Sequence, residues 1–235
     1  MSGSIRLHLA TALTAGAELE AAPGQAHYLA AVMRRAVGGA VRLFNGRDGE
    51  WQARIVALGR DRARLLVERQ LRPQAPEPDL WLAFAVLKRD ATELVAQKAT
   101  ELGVSLLQPV LTAHTGPGRV NAERLRAIAT EAAEQCERLS VPAIAAPQPL
   151  PALLASWPAS RPLFAALERS DAPPLTPHRG SAGLLIGPEG GFAPAELDEL
   201  HRHALVKPAT LGPRILRAET AAIVGLALLQ GPGSL

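Results

Sequence analysis

The feature that most constrains the fold is an alternation that begins at Leu80. "LWLAFAVLK" (Leu80–Lys88) is a continuous apolar run, the pattern of a buried strand. "DATELVAQKATELG" (Asp90–Gly103) follows with helical spacing, Asp90 and Glu93 reading as an N-terminal cap pair and Gly103 as the stop. "SLLQPVLT" (Ser105–Thr112) supplies the next strand and completes one βαβ unit. A long helix is predicted from about Asn121 to Leu139, with Leu125, Ile128, Ala129, Ala132, Cys136 and Leu139 as its core stripe. "PLFAALE", "AGLLIGPEGG" and "LVKPATLG" read as three more strands, and "ETAAIVGLALLQ" (Glu219–Gln230) as a largely apolar final helix. Strands alternating with helices imply a mainly parallel α/β sheet. Ligands of such sheets lie beyond the carboxyl ends of the strands, where Gly187 and Gly212 both fall.

Residues 1–72 follow a different pattern. "AVRLFNGRDGEWQARIVAL" (Ala40–Leu58) is a hairpin around Asn45-Gly46 and Asp48-Gly49, and "RARLLVERQL" (Arg62–Leu71) is a further strand. "GQAHYLAAVMRRAVGG" (Gly24–Gly39) predicts a short helix ended by paired glycines. A small, mostly β domain, closed as a barrel, is expected over 1–72. The proline-rich "RPQAPEPD" (Arg72–Asp79) serves as linker to a second domain over 73–235. Charge divides the same way: residues 1–72 hold 11 Arg against 6 Asp or Glu, +5, and the remainder 14 Lys or Arg against 16 acids, −2. A basic small end suggests phosphate contact there. Cys136 is the single cysteine, so no internal disulfide forms. No apolar run reaches a membrane span, and "MSGSIRLHLA" lacks the pattern of a signal peptide. A cytoplasmic protein without membrane contact is expected.

Three stretches carry chemistry. In "LLIGPEGGFAPAEL" (Leu184–Leu197) a strand ends in a glycine loop and restarts as a helix. Gly190 and Gly191 permit positive φ and close backbone approach. The loop lacks the Lys and Ser/Thr of a triphosphate site and the spacing of a dinucleotide site, so a neutral or cationic nucleoside fits it better than a polyphosphate. The bland alternative is a tight strand-to-helix turn. In "LGPRILRAETAAIVG" (Leu211–Gly225) Arg214, Arg217, Glu219 and Thr220 cluster before a very apolar helix, where unpaired charge is costly. In "EAAEQCERLSVP" (Glu131–Pro142) the spacing puts Glu131, Gln135 and Arg138 on one helical face, roughly opposite the core stripe.

Together "IGPEGGF", "LGPRILRAETA" and "EAAEQCERLSVP" resemble the bacterial RsmE family, SPOUT-class enzymes that methylate N3 of a uridine in 16S ribosomal RNA with S-adenosylmethionine. "HYLAAVMR" (His27–Arg34) and "VRLFNG" resemble the family's PUA-like RNA-binding barrel, and "KRDATELVAQKATELGV" (Lys88–Val104) its first catalytic-domain helix. The resemblance spans nearly the whole chain. It implies a trefoil-knotted, mainly parallel SPOUT sheet with helices on both faces. It also implies a homodimer that involves the final helix, and 16S rRNA or the assembled small subunit as partner. S-adenosylmethionine would be held by Ile186, Gly187, Pro188, Glu189, Gly190 and Gly191, with Leu211, Gly212, Ile215 and Leu216. RNA contacts are expected from Arg6, His27, Arg34, Arg42 and His114. "AHTGPG" (Ala113–Gly118) stands where the family usually has Arg-Ser, so His114 is a departure.

Methyl transfer to an imide nitrogen needs positioning, a cation for the developing oxygen anion, and a group to take the proton. Arg217 and Arg138 are candidates for the cation, Glu219 and Glu131 for the proton acceptor. No metal cluster is visible and the chemistry requires none. Two rival readings are a non-catalytic RNA-binding protein that keeps the fold and a SPOUT methyltransferase acting on transfer RNA. The intact "GPEGG" and "RILRAET" argue against the first, and "HYLAAVMR" against the second.

Overall fold

Short alternating runs in the first 72 residues build a five-stranded sheet in the computed structural model, which describes residues 5–116, 120–168 and 171–231. Pro117 and Gly118 of the "AHTGPG" stretch lie outside the described residues. The chain divides into two units: Met1–Pro76 with Ala133–Val141, and Glu77–Ala132 with Pro142–Leu235.

The first unit holds β1 (Arg6–His8), β2 (Glu18–Ala21), β3 (Ala40–Phe44), β4 (Glu50–Leu58) and β5 (Ala63–Arg72), ordered β1-β3-β4-β5-β2. β1 runs parallel to β3, and the other pairs are antiparallel. The hairpin read from the sequence is present, with Ala40 opposite Arg54 and Phe44 opposite Glu50. Asn45 Oδ1 accepts the N–H groups of Arg47 and Asp48 and so closes its turn. Leu7 and Leu9 from one edge and Ala21 from the other share a single core with Val41, Leu43, Ile55 and Leu65. A sheet whose two edges reach one core is strongly coiled, and bulges between β4 and β5 supply the coiling.

The helix predicted over Gly24–Gly39 is shorter. α1 (Pro23–His27) continues as a π-turn over Tyr28–Val32 and is left at Arg34, which takes φ 49°. The paired glycines do not cap it: Gly38 donates to the Ile55 carbonyl, and the Gly39 carbonyl accepts from Ile55, so both extend the pairing with β4.

The second unit is a parallel sheet. Its elements are β6 (Leu80–Ala85), α2 (Arg89–Glu101), β7 (Leu106–Leu111), α3 (Ala122–Gln135), β8 (Ala143–Ile144), β9 (Gln148–Pro149), α4 (Leu150–Ser156), β10 (Leu163–Ala166), β11 (Ala182–Ile186), α5 (Pro194–Arg202), β12 (Val206–Ala209) and α6 (Ala218–Gln230). The order is β12-β10-β11-β6-β7-β8, with β9 also beside β7. Residue parity decides the faces. Leu80, Leu82, Phe84, Leu184 and Ile186 face Val95, Ala96 and Ala99 of α2, Leu125 of α3 and Ala222, Leu226 and Leu229 of α6. Ala83, Leu185, Leu163 and Ala165 face Leu150, Leu153 and Leu154 of α4 and Leu200 of α5. Helices thus cover both faces, which is why the central strands β6, β10 and β11 are apolar on each side.

Two helix ends differ from expectation. Asp90 and Glu93 do not cap α2: Lys88 is the N-cap residue, and Glu93 instead accepts Arg89 at 2.9 Å and Arg124 at 3.0 Å. α3 stops at Gln135, short of Leu139. Its last three residues count with the first unit, where Ala133 and Leu139 pack on Phe44. Arg6 ends the helix there. Its Nη1 donates to the Ala133 and Glu134 carbonyls, at 2.8 and 3.0 Å, and its Nη2 to the Arg138 carbonyl at 2.6 Å. These are carbonyls a helix terminus leaves without partners. Arg138 therefore lies past the helix, not on its face with Glu131 and Gln135.

Candidate functional site

Register brings the strand ends into one row. Ala166 lies opposite both Ile186 and Ala209, and Ile186 opposite Phe84. Ala85 lies opposite Val110 on the far side. Because all these strands are parallel, the loops that leave them emerge side by side: Leu167–Glu168, Gly187–Gly191, Thr210–Arg217, Val86–Lys88 and Thr112–Thr115.

The first glycine loop is a turn closed by the Gly191 N–H on the Pro188 carbonyl at 2.9 Å. Ile186 and Pro188 are buried while Glu189 and Gly190 are exposed. Only Gly191 uses left-handed backbone, at φ +70°, and a Cβ there would lie 3.3 Å from Glu168 Oε1. Gly190 does not use it, contrary to the paired reading: its space is bounded by His114, 3.4 Å from where a Cβ would sit. Glu196 at the start of α5 accepts the Ala193 N–H with one oxygen and the Ala113 N–H with the other, both at 2.8 Å. That carboxylate clips the Thr112–Thr115 loop to the glycine loop. His114 adds a second tie, its Nδ1 lying 2.9 Å from the Gly191 carbonyl oxygen. The departure at His114 thus belongs to the site. Neither Glu196 nor Glu168 was singled out in the sequence: Ala193 is not a Ser or Thr that would flag Glu196 three positions on, and Glu168 carries no local signal.

In the second loop Gly212 takes φ +117°, and Leu211 and Leu216 are half-buried while Ile215 is 59% exposed. Arg217 is the N-cap residue of α6 and is exposed. The premise that an apolar setting forces it to pair is overturned: among the described residues it makes no pair with Glu219. One oxygen of Glu219, Oε2, is buried with no hydrogen-bond partner among the described residues. Arg217 and Glu219 both lie at the start of α6, which the loop leaving β12 leads into. Arg138 counts with the other unit, where its Nη2 donates to Ser140. Glu131 lies exposed on α3, where its charge acts on Arg124.

Of the residues expected to meet RNA in the first unit, His27 and Arg34 are exposed, and Arg42 is half-buried with Nη1 3.7 Å from Glu50. Arg6 is corrected. It is 5% exposed, paired with Glu50 at 2.6 Å and stacked 4.5 Å over Phe44, so its guanidinium is used internally and is not offered to an RNA.

The strand-end row suits a flat, neutral or cationic ligand. It offers backbone groups of two glycine loops, the apolar Ile186, Leu211 and Leu216, and the carboxylates of Glu168, Glu189 and Glu219, one with an oxygen lacking a donor. A polyphosphate would meet no lysine in either loop. No group of three His, Cys, Asp or Glu able to hold a metal occurs among the described residues, and none of their helices is long and apolar enough to cross a membrane. A cavity of about 490 Å³ lies at the opposite, amino edge, bounded by Pro162, Ser181 and Leu205 just before β10, β11 and β12.

A parallel sheet with glycine loops along its carboxyl edge, joined to a small coiled β unit, defines the class. A family model described as an RNA methyltransferase domain matches residues 74–230, and one described as an RNA methyltransferase PUA domain matches residues 23–68. Ribosomal RNA small subunit methyltransferase E of Rickettsia conorii is 33% identical over 237 residues, covering 97% of this chain and 96% of the relative. The protein of that name from Synechocystis is 34% identical over 221 residues, covering 88% and 70%. The Legionella pneumophila protein solved with bound SAM aligns at TM-score 0.87 and 29% identity, over 97% of each chain. Ribosomal RNA small subunit methyltransferase E of Neisseria gonorrhoeae, solved with S-adenosyl methionine, aligns at TM-score 0.85 and 26% identity over 95% of each. This chain belongs to the ribosomal RNA small subunit methyltransferase E family.

Proposed function

We propose that this chain methylates N3 of a uridine in 16S ribosomal RNA, with S-adenosylmethionine as methyl donor. The observation that carries the reading is the row of strand ends from which the two glycine loops leave, the second leading into Arg217 and Glu219 at the start of α6. When bound, the cofactor supplies a methyl group on a sulfonium. The backbone of Ile186–Gly191 and the Leu211–Leu216 loop would hold its adenosine, and Glu219 would give its orphaned oxygen to a donor of that ligand. Arg217 lies free to meet the uracil oxygen on which negative charge develops as the proton leaves. Nucleoside mass spectrometry of 16S rRNA, from cells with and without the gene, tests the reading. A missing N3-methyluridine supports it, and loss of a transfer-RNA nucleoside instead overturns it.

The glycine loop makes a sharp prediction. Gly191→Val forces a branched side chain into left-handed backbone and toward Glu168. We expect S-adenosylmethionine affinity to fall about tenfold or more, since the strain of such a residue is of order 1–3 kcal/mol. Gly190→Ala, in ordinary backbone and at van der Waals distance from His114, should bind nearly normally. Calorimetry on both variants is the check, and equal affinities would remove the loop from the site.

The 1–72 segment is assigned to RNA binding and 73–235 to methyl transfer. Residues 21–47 contain no acid but hold Arg34, Arg35, Arg42 and Arg47, an electrostatic footprint for phosphate. Deleting the segment is not a clean test, because Ala133–Val141 packs with it. Arg34→Ala should instead weaken rRNA binding and lower the salt slope by about one, while leaving cofactor affinity unchanged. An unaltered slope would show that Arg34 meets no phosphate. We also infer the trefoil knot: the Pro173–Leu175 segment is bonded on both sides of Thr210, where the chain turns toward α6. A cytoplasmic homodimer completes the reading, with the exposed Leu228 on α6 in its interface.

A further inference from the structure

We propose that His114 is the catalytic residue that takes the N3 proton of the uracil, an assignment that rests on the function proposed above. Its Nδ1 lies 2.9 Å from the Gly191 carbonyl oxygen, which can only accept. Nδ1 therefore carries the hydrogen, and in the neutral ring Nε2 is left as a lone-pair acceptor. The side chain is exposed, and no partner of Nε2 occurs among the described residues. The tie to Gly191 fixes the tautomer and the ring, as an orienting group does for a catalytic base. The same contact sets the base against the loop that holds the methyl donor.

The two carboxylates considered for this task are placed less well. The unpartnered oxygen of Glu219 is assigned to the cofactor above, and Glu131 lies on an exposed helix face. Imidazole is also the better chemical match, since a general base works best when it titrates near the operating pH. In the step, the N3–H proton passes to Nε2 as the N3 electron pair forms the bond to the methyl carbon. The carbon–sulfur bond breaks with its pair left on sulfur, which becomes a neutral thioether. His114, now cationic, returns the proton to solvent. Charged groups on the elements that hold it are Glu196, clipped to the neighbouring Ala113 N–H, and Glu168, beside Gly191, with Arg217 proposed above to face the same uracil. These two carboxylates favour the imidazolium that forms.

Asparagine separates the two functions of this ring, because its amide nitrogen can take the place of Nδ1 and keep the bond to Gly191. In His114→Asn, methyl transfer to small subunits or 16S rRNA should fall roughly a hundredfold near neutral pH. S-adenosylmethionine affinity by calorimetry should stay within about twofold, since the loop keeps its tie. The loss should shrink as pH is raised, because an imide that ionises unaided no longer needs a base. The acid limb that a general base gives the wild-type pH–rate profile should be absent in His114→Asn and in His114→Gln. Turnover of the Asn variant within about threefold of wild type overturns the assignment. So does a loss of equal size at every pH, or one matched by lost cofactor affinity, either of which makes His114 a structural tie. A wild-type protein that leaves 16S rRNA unmethylated overturns the proposed function itself, and with it this role.

Discussion

Arg217→Ala is expected to lower the rate of methyl transfer roughly a hundredfold or more, with S-adenosylmethionine affinity and melting temperature close to wild type. The magnitude is that of removing one donor from an oxyanion site. The structure sets the direction. Arg217 is exposed at the start of α6 and forms no ion pair with Glu219 among the described residues, so its removal leaves no carboxylate newly stranded by a lost partner. A residue that only supported the fold would lower stability first. One that meets charge present only in the transition state lowers kcat and kcat/KM together. Arg217→Lys should recover part of the rate, because an ammonium supplies charge without the planar two-pronged geometry. Single-turnover measurements with saturating cofactor separate these outcomes. Near-normal turnover of the alanine variant would sink the assignment, and a lowered melting temperature would make Arg217 structural.

What the sequence disclosed and what it withheld follow a physical line. The Ala40–Leu58 hairpin, the βαβ unit at Leu80 and the two glycine loops depend on signals a few residues long, and each was legible. The short β8 and β9, and the helix α4, were not resolved as separate elements, because their runs are too short to show a period. The end of α3 was not legible for a different reason. Apolar spacing continues to Leu139, which is buried, but the helix is cut at Gln135 by the guanidinium of a residue 127 positions from Ala133 in sequence. Long-range polar contacts of this kind leave no trace in local patterning. The same holds for His114: it read as an unexplained departure until the fold set it on a loop 77 residues away. Arg6 is the converse case. Basic charge near the N-terminus suggested RNA, and only burial reveals that this cation serves the interior.

Glu50→Ala is expected to destabilise the first unit by about 3–5 kcal/mol, the range for breaking one side of a buried ion pair. The side chains of Glu50 and Arg6 are 1% and 2% exposed and meet at 2.6 Å. Arg72 donates to both Glu50 oxygens, at 3.0 and 3.1 Å. Without the carboxylate, Arg6 stays buried with its charge uncompensated, and the carbonyl contacts that hold Ala133–Val141 lose their anchor. Arg6→Leu should also be costly, although it removes the charge, because it strands those carbonyls and leaves the buried Glu50 to Arg72 and Arg42 alone. Acid should reproduce part of the loss. Burial pushes the Glu50 carboxyl up, but the bonds from Arg6 and Arg72 and their charges outweigh it and hold it below the ordinary glutamate range. A carboxyl lowered in the folded state contributes stability in full above its unfolded value, about 4.3. That contribution is lost as pH falls from there through the folded value. Urea unfolding of wild type and Glu50→Gln across this acid range is the measurement. The wild type should lose stability more steeply with acid than the variant, and parallel curves would mean that Glu50 titrates alike in the folded and unfolded chains.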